Sequence, residues 1–180
     1  MEHLQALRIE TSGHHRSEVV DLNITLRNSK LKKLFLDMKL ERLPNWIPQL
    51  HNLERLTLRL SDLTNDPLES LKDMPCLTVL SLTYAYEGQI LSFQRGGFPK
   101  LRKLILSNLW KLNSIRIDDT ALQSLEYFEL TCLDELKTVP EGFQSLEKLK
   151  FLDLLSMPTE FVEEIDPIGK NKHWSINYGL

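Results

Sequence analysis

A six-residue phrase, Leu-x-x-Leu-x-Leu, returns along this chain at a nearly fixed interval. It reads Leu31-Lys32-Lys33-Leu34-Phe35-Leu36, then Leu53-Glu54-Arg55-Leu56-Thr57-Leu58, Leu77-Thr78-Val79-Leu80-Ser81-Leu82 and Leu101-Arg102-Lys103-Leu104-Ile105-Leu106. Two further copies are Leu125-Glu126-Tyr127-Phe128-Glu129-Leu130 and Leu149-Lys150-Phe151-Leu152-Asp153-Leu154. The first leucines stand at 31, 53, 77, 101, 125 and 149, so the interval is 22 residues once and then 24 four times. A unit of this size cannot bury its own apolar face, so copies must stack and share one core, each touching chiefly its neighbours. The Leu-x-Leu step has the period of two of a short strand, with leucines on one side and the intervening side chains on the other. Stacking therefore predicts a parallel ladder of strands with the leucines inside.

Between the strands, stretches such as Leu40 to Ile47 and Leu136 to Phe143 carry apolar anchors spaced for a turn or a short irregular helix. Pro44, Pro67, Pro140 and Pro158 all fall outside the strands, as they must, because proline cannot donate to a ladder. An interval of 20 to 29 residues with this phrase is the signature of leucine-rich repeats. The expected fold is thus an α/β repeat: a leucine-rich repeat solenoid curved as a horseshoe arc, with a parallel β-sheet on the concave face and loops and short helices on the convex face. Six units occupy residues 31–158. Residues 1–30, with a weaker copy at Leu4-Gln5-Ala6-Leu7-Arg8-Ile9, read as an irregular first repeat or amino-terminal cap, and residues 159–180 read as a carboxy-terminal cap or tail. The ninth position is Lys39, Ser61, Ala85, Leu109, Leu133 and Met157, so no asparagine ladder is expected.

Composition excludes several classes. The 180 residues are 42% hydrophobic and 26% charged, an ordinary globular balance. The longest apolar clusters, such as Leu104-Ile105-Leu106, fall far short of the roughly 20 residues that cross a bilayer, so no membrane span is expected. Glu2-His3-Leu4-Gln5-Ala6 lacks the basic start and apolar stretch of a secretory signal, and the expected compartment is the cytoplasm. Cys76 and Cys132 suit a reducing compartment and read as buried thiols. A net charge of −3 gives no general pull toward nucleic acid, and Lys30-Leu31-Lys32-Lys33 reads as a solvated strand flank.

Three phrases carry a family resemblance: Gly96-Gly97-Phe98-Pro99-Lys100-Leu101-Arg102-Lys103-Leu104, Leu133-Asp134-Glu135-Leu136-Lys137-Thr138-Val139-Pro140-Glu141-Gly142-Phe143 and Met157-Pro158-Thr159-Glu160-Phe161. With Leu40 to Ile47 and Asp66-Pro67-Leu68, they resemble the repeat region of plant nucleotide-binding leucine-rich repeat receptors, particularly those with an amino-terminal coiled coil, over about residues 31 to 161. The resemblance implies a protein-interaction module of an intracellular immune receptor. Such a module takes part in recognising a pathogen effector, directly or through a guarded host protein, and restrains a nucleotide-switch domain of the same receptor. No G-x-x-x-x-G-K-[ST] loop occurs, so the chain itself is not expected to be the nucleotide switch. The alternative is a free-standing intracellular repeat scaffold in signalling.

If the leucines point inward, positions three, five and seven of each unit form exposed columns on the concave face, and these are the candidate protein-binding residues. The third-position column is Lys33, Arg55, Val79, Lys103, Tyr127 and Phe151. The fifth is Phe35, Thr57, Ser81, Ile105, Glu129 and Asp153, and the seventh is Asp37, Arg59, Thr83, Ser107, Thr131 and Leu155. Arg55 and Arg59 make the early face basic, whereas Glu129, Asp153, Tyr127 and Phe151 make the later face acidic and aromatic. Arginine and aromatic side chains favour a protein partner over a small ligand.

Other signals point to no chemistry. His14-His15 lack further ligands at metal spacing. Neither cysteine has a protease context, and no G-x-S-x-G elbow occurs. Gly96-Gly97 precedes a strand and reads as a turn rather than a phosphate cradle. Asn23-Ile24-Thr25 is a chance match to a glycosylation signal, and Trp46, Trp110 and Trp174 read as packing residues. No catalytic residue, cofactor or metal is expected.

Overall fold

A computed structural model of the chain describes residues 4–11, 18–22 and 30–179. His14, His15 and the sequon at 23–25 lie outside the described residues. The main sheet holds eight strands, all parallel: β1 Ala6–Glu10, β2 Lys33–Asp37, β3 Arg55–Arg59, β4 Val79–Thr83, β6 Lys103–Ser107, β8 Tyr127–Thr131, β9 Phe151–Leu155 and β10 Ser175–Asn177. They follow one another in chain order. The skipped labels are β5 Ile90–Phe93 and β7 Ser114–Ile117, which pair with each other in a separate parallel ladder. Among the described residues two α-helices, α1 Leu68–Leu71 and α2 Thr159–Lys172, and a short 3-10 helix at Phe143–Ser145 complete the fold.

The register reproduces the repeat. Lys33 lies opposite Arg55, Arg55 opposite Val79, and the third-position column then runs through Lys103 and Tyr127 to Phe151 without a slip. A slip of one residue would turn every leucine out to solvent, so the burial pattern itself pins the register. Leu34, Leu36, Leu56, Leu58, Leu80, Leu82, Leu104, Leu106, Phe128, Leu130, Leu152 and Leu154 are all buried in one continuous core. At the carboxy-terminal end the core thickens with rings: Phe128 stacks on Phe143 at 5.5 Å, and Phe143 meets Trp174 edge-on at 5.4 Å.

The strand entries share one hydrogen-bond pattern, and five of the exits share one backbone conformation. The carbonyl of the second position accepts two N–H groups from the next unit, as when Glu54 O accepts from Thr78 N at 2.8 Å and Val79 N at 3.0 Å. After the strand, the eighth residue takes a left-handed conformation in five units in succession: Leu60, Tyr84, Asn108, Cys132 and Ser156, with φ between 50° and 54°. At Leu60, Tyr84, Asn108 and Cys132 its N–H still donates to the neighbouring strand, for example Tyr84 N to Ser107 O at 3.0 Å. There the chain turns out of the sheet without losing a hydrogen bond. On the far side of the coil, Gly142 has φ +79°, and a Cβ there would lie 1.9 Å from the Ile117 carbonyl oxygen, so only glycine fits.

The sheet runs past the six units in both directions. The weak copy at Leu4 forms β1, in register with β2. The tail folds as α2 followed by β10, which pairs with β9. Phe161 and Ile165 of α2 are buried, and Gly169 packs against the Ile176 side chain, whose end a Cβ at that position would displace. Three expectations of burial need correction. Cys76 and Cys132 are half-buried free thiols rather than buried ones. Trp110 is 51% exposed, because it stands on the turn after β6, where it leans on the Tyr84 ring at 5.3 Å. Trp174 is buried, and Trp46 packs against the core while its Nε1 donates to Leu22 O at 2.8 Å.

Candidate interaction surface

Positions three, five and seven come together on one face of the main sheet, the face opposite the leucines. Lys33, Arg55, Arg59 and Phe151 are exposed there, while Phe35, Thr57, Val79, Lys103, Ile105, Tyr127, Glu129 and Asp153 are half-buried. Three of the named positions are corrections to the expectation of exposure. Asp37 is only 3% exposed, because it sits beneath the Arg59 guanidinium, with Nη1 to Oδ2 at 3.8 Å. Ser81 is 9% exposed, since its short side chain lies between Thr57 and Ile105 on the flanking strands and is screened by them. Ser107, in the seventh column, is likewise buried.

The edge strands add residues that the six-unit reading did not include. Arg8 of β1 lies opposite Phe35 and places its guanidinium carbon 4.0 Å above that ring, while its Nη2 pairs with Glu10 at 2.8 Å. At the other edge, Ser175 and Asn177 of β10 continue the third and fifth columns beyond Phe151 and Asp153. The weak repeat copy at Leu4 contained the first signal. The second was visible only as the 24-residue interval carried on from Phe151 to Ser175.

The charges on this face separate. Lys33 and Arg55 are direct cross-strand neighbours, and among the described residues no carboxylate pairs with either. Glu129 and Asp153 are direct neighbours at the other end, again without a cation in ion-pair range among the described residues. Between the carboxylates stands Tyr127, whose hydroxyl donates to Asp153 Oδ2 and lies 3.2 Å from Glu129 Oε2. Burial, and then the Asp153 carboxylate, hold this phenol protonated well above its usual range. Lys103 Nζ sits 3.9 Å over the Tyr127 ring, which keeps the lysine low on the surface. Along the strand entries, by contrast, charge is paired: Lys32 with Glu54 at 2.8 Å, Arg102 with Glu126 at 2.8 Å and Lys150 with Glu126 at 3.5 Å. The hydrogen bond from Arg102 draws the Glu126 carboxyl below its ordinary range. That paired row lies beside the face, so the unpaired charges stand out against a neutralised border.

A family profile described as a leucine-rich repeat region matches residues 1–159. The chain belongs to this family. The leucine-rich repeat chain is 33% identical over 148 residues to the disease resistance protein RPM1 of Arabidopsis thaliana, which covers 82% of this chain and 16% of that protein. It is 30% identical over 146 residues to a probable disease resistance protein of the same plant, covering 79% of this chain and 15% of the relative. With the disease resistance protein RPP8 of Arabidopsis thaliana it shares 25% identity over 142 residues, 78% of this chain and 16% of the relative. The leucine-rich repeat region therefore spans 15–16% of the length of these relatives. It is a repeat module of the plant disease resistance kind, and such repeats are a protein-interaction fold. Among the described residues no helix is long and apolar enough to cross a membrane, and no three His, Cys, Asp or Glu side chains are grouped to hold a metal ion.

Proposed function

We propose that this leucine-rich repeat region is the protein-interaction module of a cytoplasmic plant immune receptor, contributing both to recognition of a pathogen effector or guarded host protein and to restraint of the receptor's nucleotide-switch domain. The observation that supports docking by the sheet face is the uncompensated pair Lys33 and Arg55, register neighbours left without a carboxylate among the described residues. Like charges placed directly opposite each other on a sheet cost stability, and a partner that neutralises them recovers that cost on binding. Arg59 is a weaker probe of the same end, because its guanidinium already serves Asp37. Kinship with disease resistance proteins supports the defence role and extends to no named partner.

The test is calorimetry of the chain with the nucleotide-binding domain of the receptor proposed to contain it. Arg55→Glu is expected to weaken binding by about tenfold or more, a change of about 1.4 kcal/mol, while Lys100→Glu, on an exposed turn off the face, is expected to leave it unchanged. Equal affinities for both variants would remove this end of the sheet from the docking surface.

A further inference from the structure

The charged ends of the sheet face are arranged symmetrically. In the strand order β1, β2, β3, β4, β6, β8, β9, β10, the basic pair sits on β2 and β3 and the acidic pair on β8 and β9, with β4 and β6 at the centre. Adjacent strands lie about 4.8 Å apart, so the midpoints of the two pairs are separated by four spacings, roughly 19 Å. The centre presents little relief: Ser81 and Ser107 are buried, Val79 and Ile105 are half-buried, and the one cation there, Lys103, lies down against the Tyr127 ring. Each end is unfavourable by itself, two like charges abreast with no counter-charge within the chain's described residues.

We propose that two copies of this chain associate face to face through this sheet, about a two-fold axis that runs parallel to the strands between β4 and β6. That rotation lays β3 of one copy against β8 of the other and β2 against β9, and it preserves position along the strand. Arg55 then meets Tyr127 and Glu129 of the second copy, and Lys33 meets Phe151 and Asp153. Phe151 is 50% exposed in the single chain and offers a ring face to the incoming ammonium. An isologous contact of this kind satisfies both ends at once, because one surface supplies both signs at the spacing the other requires. The charge complementarity selects a second copy as the occupant: a partner bearing one sign of charge would neutralise one end and repel the other. The inference does not depend on the proposed receptor role. It does imply that self-association and docking of a switch domain at Arg55 exclude each other.

Sedimentation velocity of the full chain at low ionic strength tests it. The expected species has twice the 21.0 kDa chain mass and dissociates in about 1 M salt, where the screening length falls to about 3 Å. K33E/R55E and E129K/D153K are each expected to weaken self-association by more than about tenfold. An equimolar mixture of the two variants is expected to restore a dimer, since one then carries acidic ends throughout and the other basic ends. A wild-type chain that stays monomeric at every concentration overturns the proposal, as does a dimer indifferent to K33E/R55E, whose two positions are exposed and leave the core untouched. Should E129K/D153K melt early, the K33E/R55E result decides alone. Binding of a switch domain by a strictly monomeric chain would sink the dimer and leave the receptor reading intact.

Discussion

Asp37 Oδ2 is 3.8 Å from Arg59 Nη1, and among the described residues Asp37 Oδ1 has no hydrogen-bond partner. A buried acceptor left without a donor costs about 1–3 kcal/mol, and the distance to Arg59 makes that ion pair a loose one. The same column holds Leu155 on β9, so an apolar side chain suits the site. Asp37→Leu is therefore expected to leave stability unchanged or to raise it by up to about 1 kcal/mol in urea unfolding. A loss of more than about 1 kcal/mol would show that the carboxylate is held more firmly than its geometry indicates. Tyr127 is held on two sides instead, with its hydroxyl against two carboxylates and its ring beneath Lys103. The half-buried face is thus constrained residue by residue even though its positions are free of the leucine rule.

At the scale of the element, the strand exit is the recurrent constraint. Five successive units place a non-glycine residue at φ near 50° immediately after the strand, a conformation that costs an L-residue roughly 1–2 kcal/mol. In the first four of these units the turn carries the chain out of the sheet while the N–H keeps its ladder bond, as in Cys132 N to Leu155 O at 2.9 Å. Asn108 is the residue type best suited to the site, and Leu60, Tyr84 and Cys132 are not. Ser156 is exposed, so substitutions there change backbone energy with little change in packing. Ser156→Gly is expected to raise the midpoint of thermal unfolding, and Ser156→Val to lower it, the two differing by about 1 kcal/mol or more. The reverse order would mean that the left-handed turn does not limit stability.

Over the whole molecule, contacts run between neighbours. Each strand touches the strand before and after it, and the rings of Phe128, Phe143 and Trp174 link the last units into one stack. Stability is then close to a sum of unit and interface contributions, and damage at one end should remain local. Trp174→Ala removes the last ring of the stack, a change that costs about 3–5 kcal/mol in a well-packed core. Hydrogen exchange is expected to quicken in β8, β9 and β10 while the amides of β2, β3 and β4 keep their protection. Uniform acceleration along the chain would show that the array unfolds as a single cooperative block.

The recurrence of Leu-x-x-Leu-x-Leu was enough to determine the parallel ladder, its register, the inward leucines and the three outward columns, because these follow from period and stacking alone. It also placed basic residues early on the face and acidic and aromatic ones late. The burial of Asp37 and Ser81, the exposure of Trp110 on its turn and the pairing of the second-position charges depend on side chains from units 22 or 24 residues away, so they arise only when the coil closes. The left-handed strand exits carry no glycine to announce them. The carboxy-terminal strand was hidden in the sequence because its unit lacks the leucine phrase, and tertiary structure supplies what the phrase does not: the open edge of β9 and the ring of Phe143, against which a chain with Trp174 and Ile176 in the right places can pair and pack.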